Sequence, residues 1–265
     1  MYLPIPSQPD CVSAWREAVR HVDMQSGHHA YNVIIDVTDP TARASLADPV
    51  VAAHDKFLLA WDQKPIETVS NTIFPASLYT RFGAPDFFNR FRDNIMPRLP
   101  RRSDNWSGYY FERMMQMPQK DGTDFNQLWN IVERIRDPNV RALNKFEISI
   151  FDPTRDVDKS PYGGQCLSFA SLKVIGKGTQ RQIGMTAFYR NHFYIEKLLG
   201  NLIGLGRLMS FIGKESGIAV GPLTVVSTHA QIDQPRNGGA NATRADIAGL
   251  LQQCDQANAK VLAVS

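Results

Sequence analysis

Four short stretches of the sequence, 106–113, 163–169, 188–201 and 227–231, hold the side chains best suited to carry chemistry. Cys166 brings a thiol, which as a thiolate is a strong nucleophile. Arg190 brings a guanidinium suited to bidentate phosphate binding, and the Asn201 amide offers both a donor and an acceptor. His229 adds a ring nitrogen. Taken singly, each also has an ordinary structural interpretation: a small core residue, a surface arginine, a helix start and a satisfied histidine.

Periodic patterns place these residues at or near the ends of predicted elements. Apolar residues at three- and four-residue steps predict helices over 12–25, 47–62, 124–136, 194–214 and 243–258, and partly over 77–97. Runs of β-branched and aromatic residues predict strands over 31–37, 146–151, 166–174, 182–189 and 221–228. Gly176 and Gly178 suit a hairpin turn between the third and fourth strands. The pattern indicates an α+β fold with the strands packed on the long apolar helix 194–214.

Composition and charge exclude several classes of protein. With 265 residues, 43% hydrophobic and 21% charged, the chain suits one domain over 1–265. A net charge of +3 without a clustered basic face argues against nucleic-acid binding. Three distant cysteines, at 11, 166 and 254, predict neither a disulfide framework nor a metal site. We see no signal peptide in 1–9 and no apolar run of membrane-spanning length, so we expect a cytoplasmic protein with no membrane contact.

The order and spacing of the candidate residues resemble the thymidylate synthase superfamily, over residues 12–233. In that family a cysteine begins a strand, a hairpin leads to an arginine, and an asparagine and a histidine follow at fixed spacings. Here Cys166 precedes Arg190 by 24 residues, Asn201 follows Arg190 by 11, and His229 follows Asn201 by 28. The resemblance implies a thymidylate-synthase-like α+β fold, with a mixed sheet on a long buried helix and a homodimer formed sheet to sheet.

The resemblance also implies a role for each of the four residues. Cys166 would add through its sulfur to C6 of a uracil, which makes C5 an enolate carbon able to attack a one-carbon electrophile. Arg190 would lower the pKa of the thiol and bind the substrate phosphate. Asn201 would read the pyrimidine edge and favour uracil, because family members that act on cytosine tend to carry aspartate there. His229 would bond the sugar hydroxyl.

Four further positions are implied by the same resemblance. Arg141 matches the arginine that crosses the dimer interface to the partner's phosphate, and Glu67 matches a catalytic glutamate that orders water near O4. Gln231 takes the place of a sugar-reading tyrosine, and Tyr109 or Tyr110 is expected to line the nucleotide pocket. The implied partners are a pyrimidine nucleoside monophosphate and a second copy of the chain, and the implied cofactor is 5,10-methylenetetrahydrofolate.

Departures from the family pattern concentrate on the side that binds folate and sugar. Leu167, Tyr189 and Asn191 stand where the family has histidine, glutamine and serine. Phe193 replaces an aspartate that contacts folate, and Ser227 replaces another aspartate. We therefore expect the nucleotide side to be retained. The one-carbon donor, the methyl or hydroxymethyl product, and the ribose or deoxyribose sugar stay open.

Two other functions fit the same residues. The first is a nucleotide-binding or regulatory protein on this fold without transfer chemistry, which the losses on the folate side favour and the retained Cys166 opposes. The second is cysteine-dependent C5 chemistry without folate, such as dehalogenation. Release of tritium from C5-labelled nucleotide separates the first from an enzyme, and the folate dependence of turnover separates the second.

Overall fold

A seven-stranded mixed sheet forms the centre of the structure. The computed structural model describes residues 2–100, 108–154, 156–157 and 165–262. The strands of this sheet are β1 (Leu3–Pro4), β2 (His29–Val37), β5 (Phe146–Ser149), β6 (Leu167–Ile175), β7 (Gln182–Tyr189), β8 (His192–Phe193) and β9 (Ala219–Gln231). Two short hairpins lie outside it, β3 (Met117–Pro118) with β4 (Asp124–Phe125), and β10 (Arg236–Asn237) with β11 (Ala240–Asn241).

The strand order β1-β2-β9-β7-β6-β5 mixes parallel and antiparallel pairs, and β8 pairs with the end of β9. β9 runs antiparallel to β2 and parallel to β7, whereas β5, β6 and β7 form an antiparallel meander. A parallel neighbour requires a crossover between β7 and β9, and the long helix of residues 198–216 supplies it. The predicted α+β class with a mixed sheet is therefore confirmed.

The helices are α1 (Cys11–Asp23), α2 (Pro49–Ala60), α3 (Ile66–Ile73), α4 (Ala76–Phe82), α5 (Asp86–Arg90), α6 (Tyr110–Met115), α7 (Gln127–Arg136), α8 (Leu198–Ser216) and α9 (Arg244–Leu262). A π-helical segment, Phe91–Ile95, and a 3-10 turn, Met96–Arg98, follow α5. α8 is the most buried of them, since most of its side chains are inaccessible to solvent. Its apolar residues therefore pack on all sides, as in a helix at the centre of a core.

The two faces of the sheet have different environments. Val33, Val225 and Ala187 lie on the face that contacts α1 and α8, and all three are fully buried. The opposite face carries an apolar row across β2, β9, β7 and β6, formed by the register neighbours Ile34, Val226, Phe188 and Phe169. These four side chains remain half-buried or exposed, with Phe188 37% exposed. We call this surface, defined by those four residues, the open face.

Two predicted helices begin later than their apolar pattern suggests, because polar side chains set their starts. The Asp233 carboxylate accepts the backbone N–H groups of Ile195 and Glu196, at 2.8 and 3.1 Å, and holds that segment as a turn before α8. The Asn126 side chain caps α7 by accepting from the N–H of Trp129 at 3.0 Å. Side-chain oxygens at such positions satisfy amides that a helix leaves unpaired.

No helix in the described part of the chain combines the length and the apolar character needed to cross a membrane.

Close packing of α3 on α8 generates a first prediction. A Cβ atom at Gly200 would lie 2.6 Å from the Cβ of Val69, which cannot move without shifting α3. We expect Gly200→Ala to lower the free energy of unfolding by about 1–2 kcal/mol in urea titrations, since overpacking outweighs the gain in helix propensity. The matched control is Gly249→Ala in α9, where a Cβ meets nothing within 4 Å. Equal effects of the two substitutions would contradict this packing.

Candidate functional site

Cys166 and Arg190 lie opposite each other at one end of the β6–β7 hairpin. Cys166 directly precedes β6 and Arg190 directly follows β7. Leu167 pairs with Tyr189, so the register places the cysteine across from the arginine. The backbone N–H of Arg190 donates to the Cys166 carbonyl at 2.9 Å, and its Nε donates to the Gln165 carbonyl at 3.1 Å. The hairpin thus brings together a half-buried thiol and an exposed guanidinium that are 24 residues apart.

Two tyrosine hydroxyls lie beside Cys166. The Tyr110 hydroxyl, from the start of α6, accepts the backbone N–H of Leu167 at 3.4 Å. Burial raises the pKa of Tyr110, the Cys166 charge raises it further, and Arg190 lowers it. Burial likewise raises the pKa of Tyr189 well above its usual value, with Tyr110 and Cys166 adding to the effect. Both phenols therefore remain protonated donors. We call Cys166, Arg190, Tyr110 and Tyr189 the cysteine cluster.

The Tyr189 hydroxyl is fully buried and has no hydrogen-bond partner among the residues that the structure describes. A buried hydroxyl left unsatisfied costs about 1–3 kcal/mol. Such a group is expected to find its partner in a bound ligand or an ordered water.

Asn201 belongs to a buried chain of hydrogen bonds that we call the asparagine network. Its Nδ2 contacts His192 Nε2 at 2.9 Å, His192 Nδ1 contacts Ser227 Oγ at 3.0 Å, and the Tyr194 hydroxyl donates to that same Oγ at 3.2 Å. Burial lowers the pKa of His192 to about 3, so this ring is neutral at physiological pH. The Tyr189 ring stacks on His192 with centroids 4.0 Å apart. Tyr189 thus joins the asparagine network to the cysteine cluster.

His229 and Gln231 lie at the end of β9, close to Arg190 in the sheet. His229 Nδ1 lies 2.7 Å from Asn191 Oδ1, which can only accept, so Nδ1 carries the proton. Burial lowers the pKa of His229 and the neighbouring His29 lowers it further, which leaves the ring neutral. Gln231 pairs with His29 and Phe193, and its carbonyl accepts the N–H of Tyr194 at 2.9 Å.

Glu67 is placed apart from these groups. Its carboxylate forms an ion pair with Arg207 at 2.8 Å and accepts from Asn71 Nδ2 at 3.2 Å. Arg207 follows Asn201 by six positions in α8, which is roughly 240° around the helix. Arg207 also lines a cavity of about 250 Å³ that includes Tyr79 and Lys214 but no residue of the cysteine cluster. Glu67 and Asn201 therefore lie on different sides of α8.

Arg141 and Tyr109 take up other positions. Arg141 is exposed in the loop between α7 and β5, and it forms no ion pair within the described ranges. Tyr109 precedes α6, and its hydroxyl donates to the Pro100 carbonyl at 3.1 Å. Trp106, Ser107, Gly163 and Gly164, from the stretches singled out in the sequence, lie outside the described residues.

The sequence left Tyr109 and Tyr110 as alternatives for lining the pocket and did not point to His192. Tyr110 differs from Tyr109 in pointing to the hairpin, which only the tertiary placement of α6 shows. His192 could have been noticed because a polar residue sits between the apolar Tyr189 and Tyr194, close to a predicted strand end.

Within the described residues, no group of three or more histidine, cysteine, aspartate or glutamate side chains is arranged to hold a metal ion. Neither a scan against protein-family models nor a search of curated proteins matches the chain.

Unequal burial of the three cysteines generates a second prediction. Burial raises the pKa of Cys254 to about 12 and that of Cys11 beyond this, whereas Cys166 is only half-buried beside a guanidinium. Because the thiolate is the reactive form, iodoacetamide at neutral pH is expected to modify Cys166 first. Mass spectrometry of the intact protein and of its peptides would give the order.

Arg190→Ala is expected to slow this modification several-fold, because the substitution removes a positive charge that favours the thiolate. Arg92→Ala is the matched control, since Arg92 is an exposed arginine paired with Asp93. Faster labelling of Cys11 or Cys254, or equal rates in the two arginine variants, would show that the cluster does not activate Cys166.

Proposed function

We propose that this protein is a thymidylate-synthase-like enzyme that transfers a methyl or hydroxymethyl group to C5 of a uridine-type nucleoside monophosphate. One observation carries the proposal most strongly: Cys166 and Arg190 are register neighbours at the end of a hairpin. The buried Asn201 amide, linked to them through Tyr189 and His192, supports it. A thiol, a phosphate-binding cation and a base-reading amide are the parts that this chemistry requires.

The proposed chemistry begins with the thiolate of Cys166. Its sulfur adds to C6 of the uracil, and the C5–C6 π electrons move toward C4 to give an enolate. C5 then forms a bond to a one-carbon electrophile at the oxidation level of formaldehyde and loses its proton, and elimination of the Cys166 sulfur as thiolate restores an unsaturated pyrimidine. Addition of water to the one-carbon unit gives the hydroxymethyl product, whereas the methyl product requires a hydride, which a reduced folate would supply. Arg190 binds the phosphate in two hydrogen bonds. The protonated hydroxyls of Tyr110 and Tyr189 are donors able to stabilise the charge that develops on oxygen.

The residues on the donor side do not fit folate as well as those on the nucleotide side fit a nucleotide. The family's folate-contacting aspartate is replaced by Phe193, whose ring is 37% exposed at the end of β8 and offers no hydrogen bond to a pteridine. The resemblance supports 5,10-methylenetetrahydrofolate as the proposed donor. The alternative, C5 chemistry without folate, would proceed through the same adduct between Cys166 and C6.

The open face supports a sheet-to-sheet homodimer as part of the proposal. Ile34, Val226, Phe188 and Phe169 place apolar side chains in one row across four strands, and burying them against a second copy would remove that surface from water. Arg141, exposed and without an ion pair among the described residues, is available to a neighbouring subunit. We therefore propose a cytoplasmic homodimer in which Arg141 of each subunit contributes to the active site of the other.

A second candidate is a nucleotide-binding regulatory protein without transfer chemistry. The observation that favours it is the position of Glu67, whose carboxylate is engaged by Arg207 on another side of α8 from Asn201. If Glu67 is held there by Arg207, it is not placed to move protons near O4 of the pyrimidine. No other residue has been identified for that catalytic role. The half-buried Cys166 is the observation against it, because nucleotide binding alone has no use for a thiol.

A third prediction separates these candidates. Calorimetry with dUMP, UMP, dCMP and CMP is expected to show micromolar binding of a uracil nucleotide that Arg190→Ala weakens at least about tenfold, as loss of a charge-assisted hydrogen bond implies. Tritium is expected to leave C5-labelled nucleotide in the wild type, because only the C6 adduct makes that hydrogen exchangeable. Cys166→Ala should abolish release and leave binding in place.

Cys254→Ala serves as the control for removal of a thiol, since Cys254 is buried elsewhere. Binding without tritium release in the wild type would support the regulatory candidate. Absence of binding by all four nucleotides would end the enzyme proposal.

A fourth prediction concerns the dimer. Val226→Asp puts a charge at the centre of the apolar row and is expected to convert a dimer to monomers in light scattering, because the buried charge lacks a partner. Gln252→Asp on exposed α9 is the control. Mixing Cys166→Ala chains with Arg141→Ala chains should restore roughly a quarter of wild-type tritium release, since random pairing leaves one intact shared site in half of the dimers. No recovery would refute the shared site.

A further inference from the structure

The asparagine network leaves a defined part of the Asn201 amide available to a ligand. One Nδ2 proton is directed to His192 Nε2 at 2.9 Å. The Oδ1 atom accepts no hydrogen bond from the residues that the structure describes, and it is not among the fully buried unsatisfied atoms. An acceptor and one remaining N–H donor therefore stay free on this side chain.

An asparagine distinguishes uracil from cytosine only when its amide cannot flip. Uracil presents an acceptor at O4 and a donor at N3, and cytosine presents the reverse, a 4-amino donor and an N3 acceptor. Rotating an amide by half a turn exchanges its oxygen and nitrogen, so a freely turning asparagine matches both bases equally well. Selectivity therefore requires a second group that fixes the amide.

His192 is placed to be that group. Its Nε2 faces the Asn201 amide, and its Nδ1 faces the Ser227 hydroxyl at 3.0 Å. A neutral imidazole that donates from Nδ1 keeps a lone pair on Nε2, which accepts from an N–H group and repels a carbonyl oxygen. Tyr189 stacks on one side of the ring, and the ring is 2% exposed, so its orientation is held by packing.

We propose that His192 is a positioning residue that locks the Asn201 amide in the orientation complementary to a 4-oxo pyrimidine and opposed to a 4-amino pyrimidine. The inference rests on the proposed function, because it assumes that Asn201 contacts a pyrimidine edge. It adds that base selectivity resides in a histidine that does not contact the ligand. In the orientation that we propose, the Ser227 Oγ accepts hydrogen bonds from both His192 Nδ1 and the Tyr194 hydroxyl.

His192→Phe is the direct test, and it is the fifth prediction. Phenylalanine retains a flat ring against Tyr189 and removes the Nε2 acceptor. Calorimetry is expected to show a preference for dUMP over dCMP of at least about tenfold in the wild type, the equivalent of one or more mismatched hydrogen bonds. In His192→Phe that ratio is expected to fall to about threefold or less, because the amide becomes free to flip.

His54→Phe is the matched control. His54 is also a buried neutral histidine, stacked on Trp15 with centroids 4.4 Å apart, and burial lowers its pKa to about 4. It should leave the dUMP to dCMP ratio unchanged. Equal losses of affinity for both nucleotides in His192→Phe would show a merely structural role and overturn the proposal.

A readout independent of nucleotide binding comes from the nitrogen chemical shifts of the His192 ring in the unliganded wild type. We expect a protonated Nδ1 and an unprotonated Nε2. The opposite tautomer would overturn the proposal that His192 fixes the Asn201 amide, even if nucleotides bind. A wild type that binds dUMP and dCMP equally would also overturn it and leave the proposed function standing, whereas binding of neither nucleotide would remove both.

Discussion

Asn201 carries a polar amide into the apolar interior, and this burial constrains everything around it. An amide left unsatisfied there would cost about 1–3 kcal/mol, so a partner must be brought to it from elsewhere in the chain. The partner is His192, which comes from the short strand that follows the hairpin, and His192 in turn requires Ser227 on β9. One chain of hydrogen bonds thereby connects three elements: the first turn of α8, the short strand β8 and the second half of β9.

The start of α8 is held a second time by Asp233. This carboxylate is buried and accepts two backbone N–H groups, yet burial and the nearby Glu196 charge raise its pKa to about 7. Desolvation thus outweighs the stabilising hydrogen bonds at this position. The desolvation of the Asp233 carboxylate is offset by what the turn does, because the turn before α8 determines where Asn201 contacts His192.

Local patterns in the sequence were sufficient for most of the fold. The β-branched residues of β2 and β9, the glycines between β6 and β7, and the apolar steps of α8 all predicted the observed elements. The proximity of Arg190 to Cys166 was implied by the family resemblance, and the register of the observed hairpin places the two residues opposite each other. What the patterns could not give are contacts between distant segments. The partners of Asn201 and Glu67 depend on how helices pack, which no local period encodes.

Most of the polar side chains in the site are uncharged. Tyr110 and Tyr189 remain protonated and His192 remains uncharged, while Arg190 contributes a positive charge. Neutral donors held in a fixed geometry interact with a developing negative charge without attracting a counterion of their own. Tyr110 and Tyr189 therefore offer directional hydrogen-bond donors, and not further charges, near Cys166.

The 13 residues of β9 serve two surfaces in alternation. Val226 faces the open face and Ser227 faces the interior, and buried residues alternate with half-buried ones from Gly221 to Ser227. A deletion or insertion of one residue upstream of this point would exchange the two sets, placing a hydroxyl on the outer surface and a valine beside His192. Length variation in natural descendants of this gene should therefore be confined to the ends of β9 or occur in pairs of residues, and single-residue gaps within it should be absent from functional lineages.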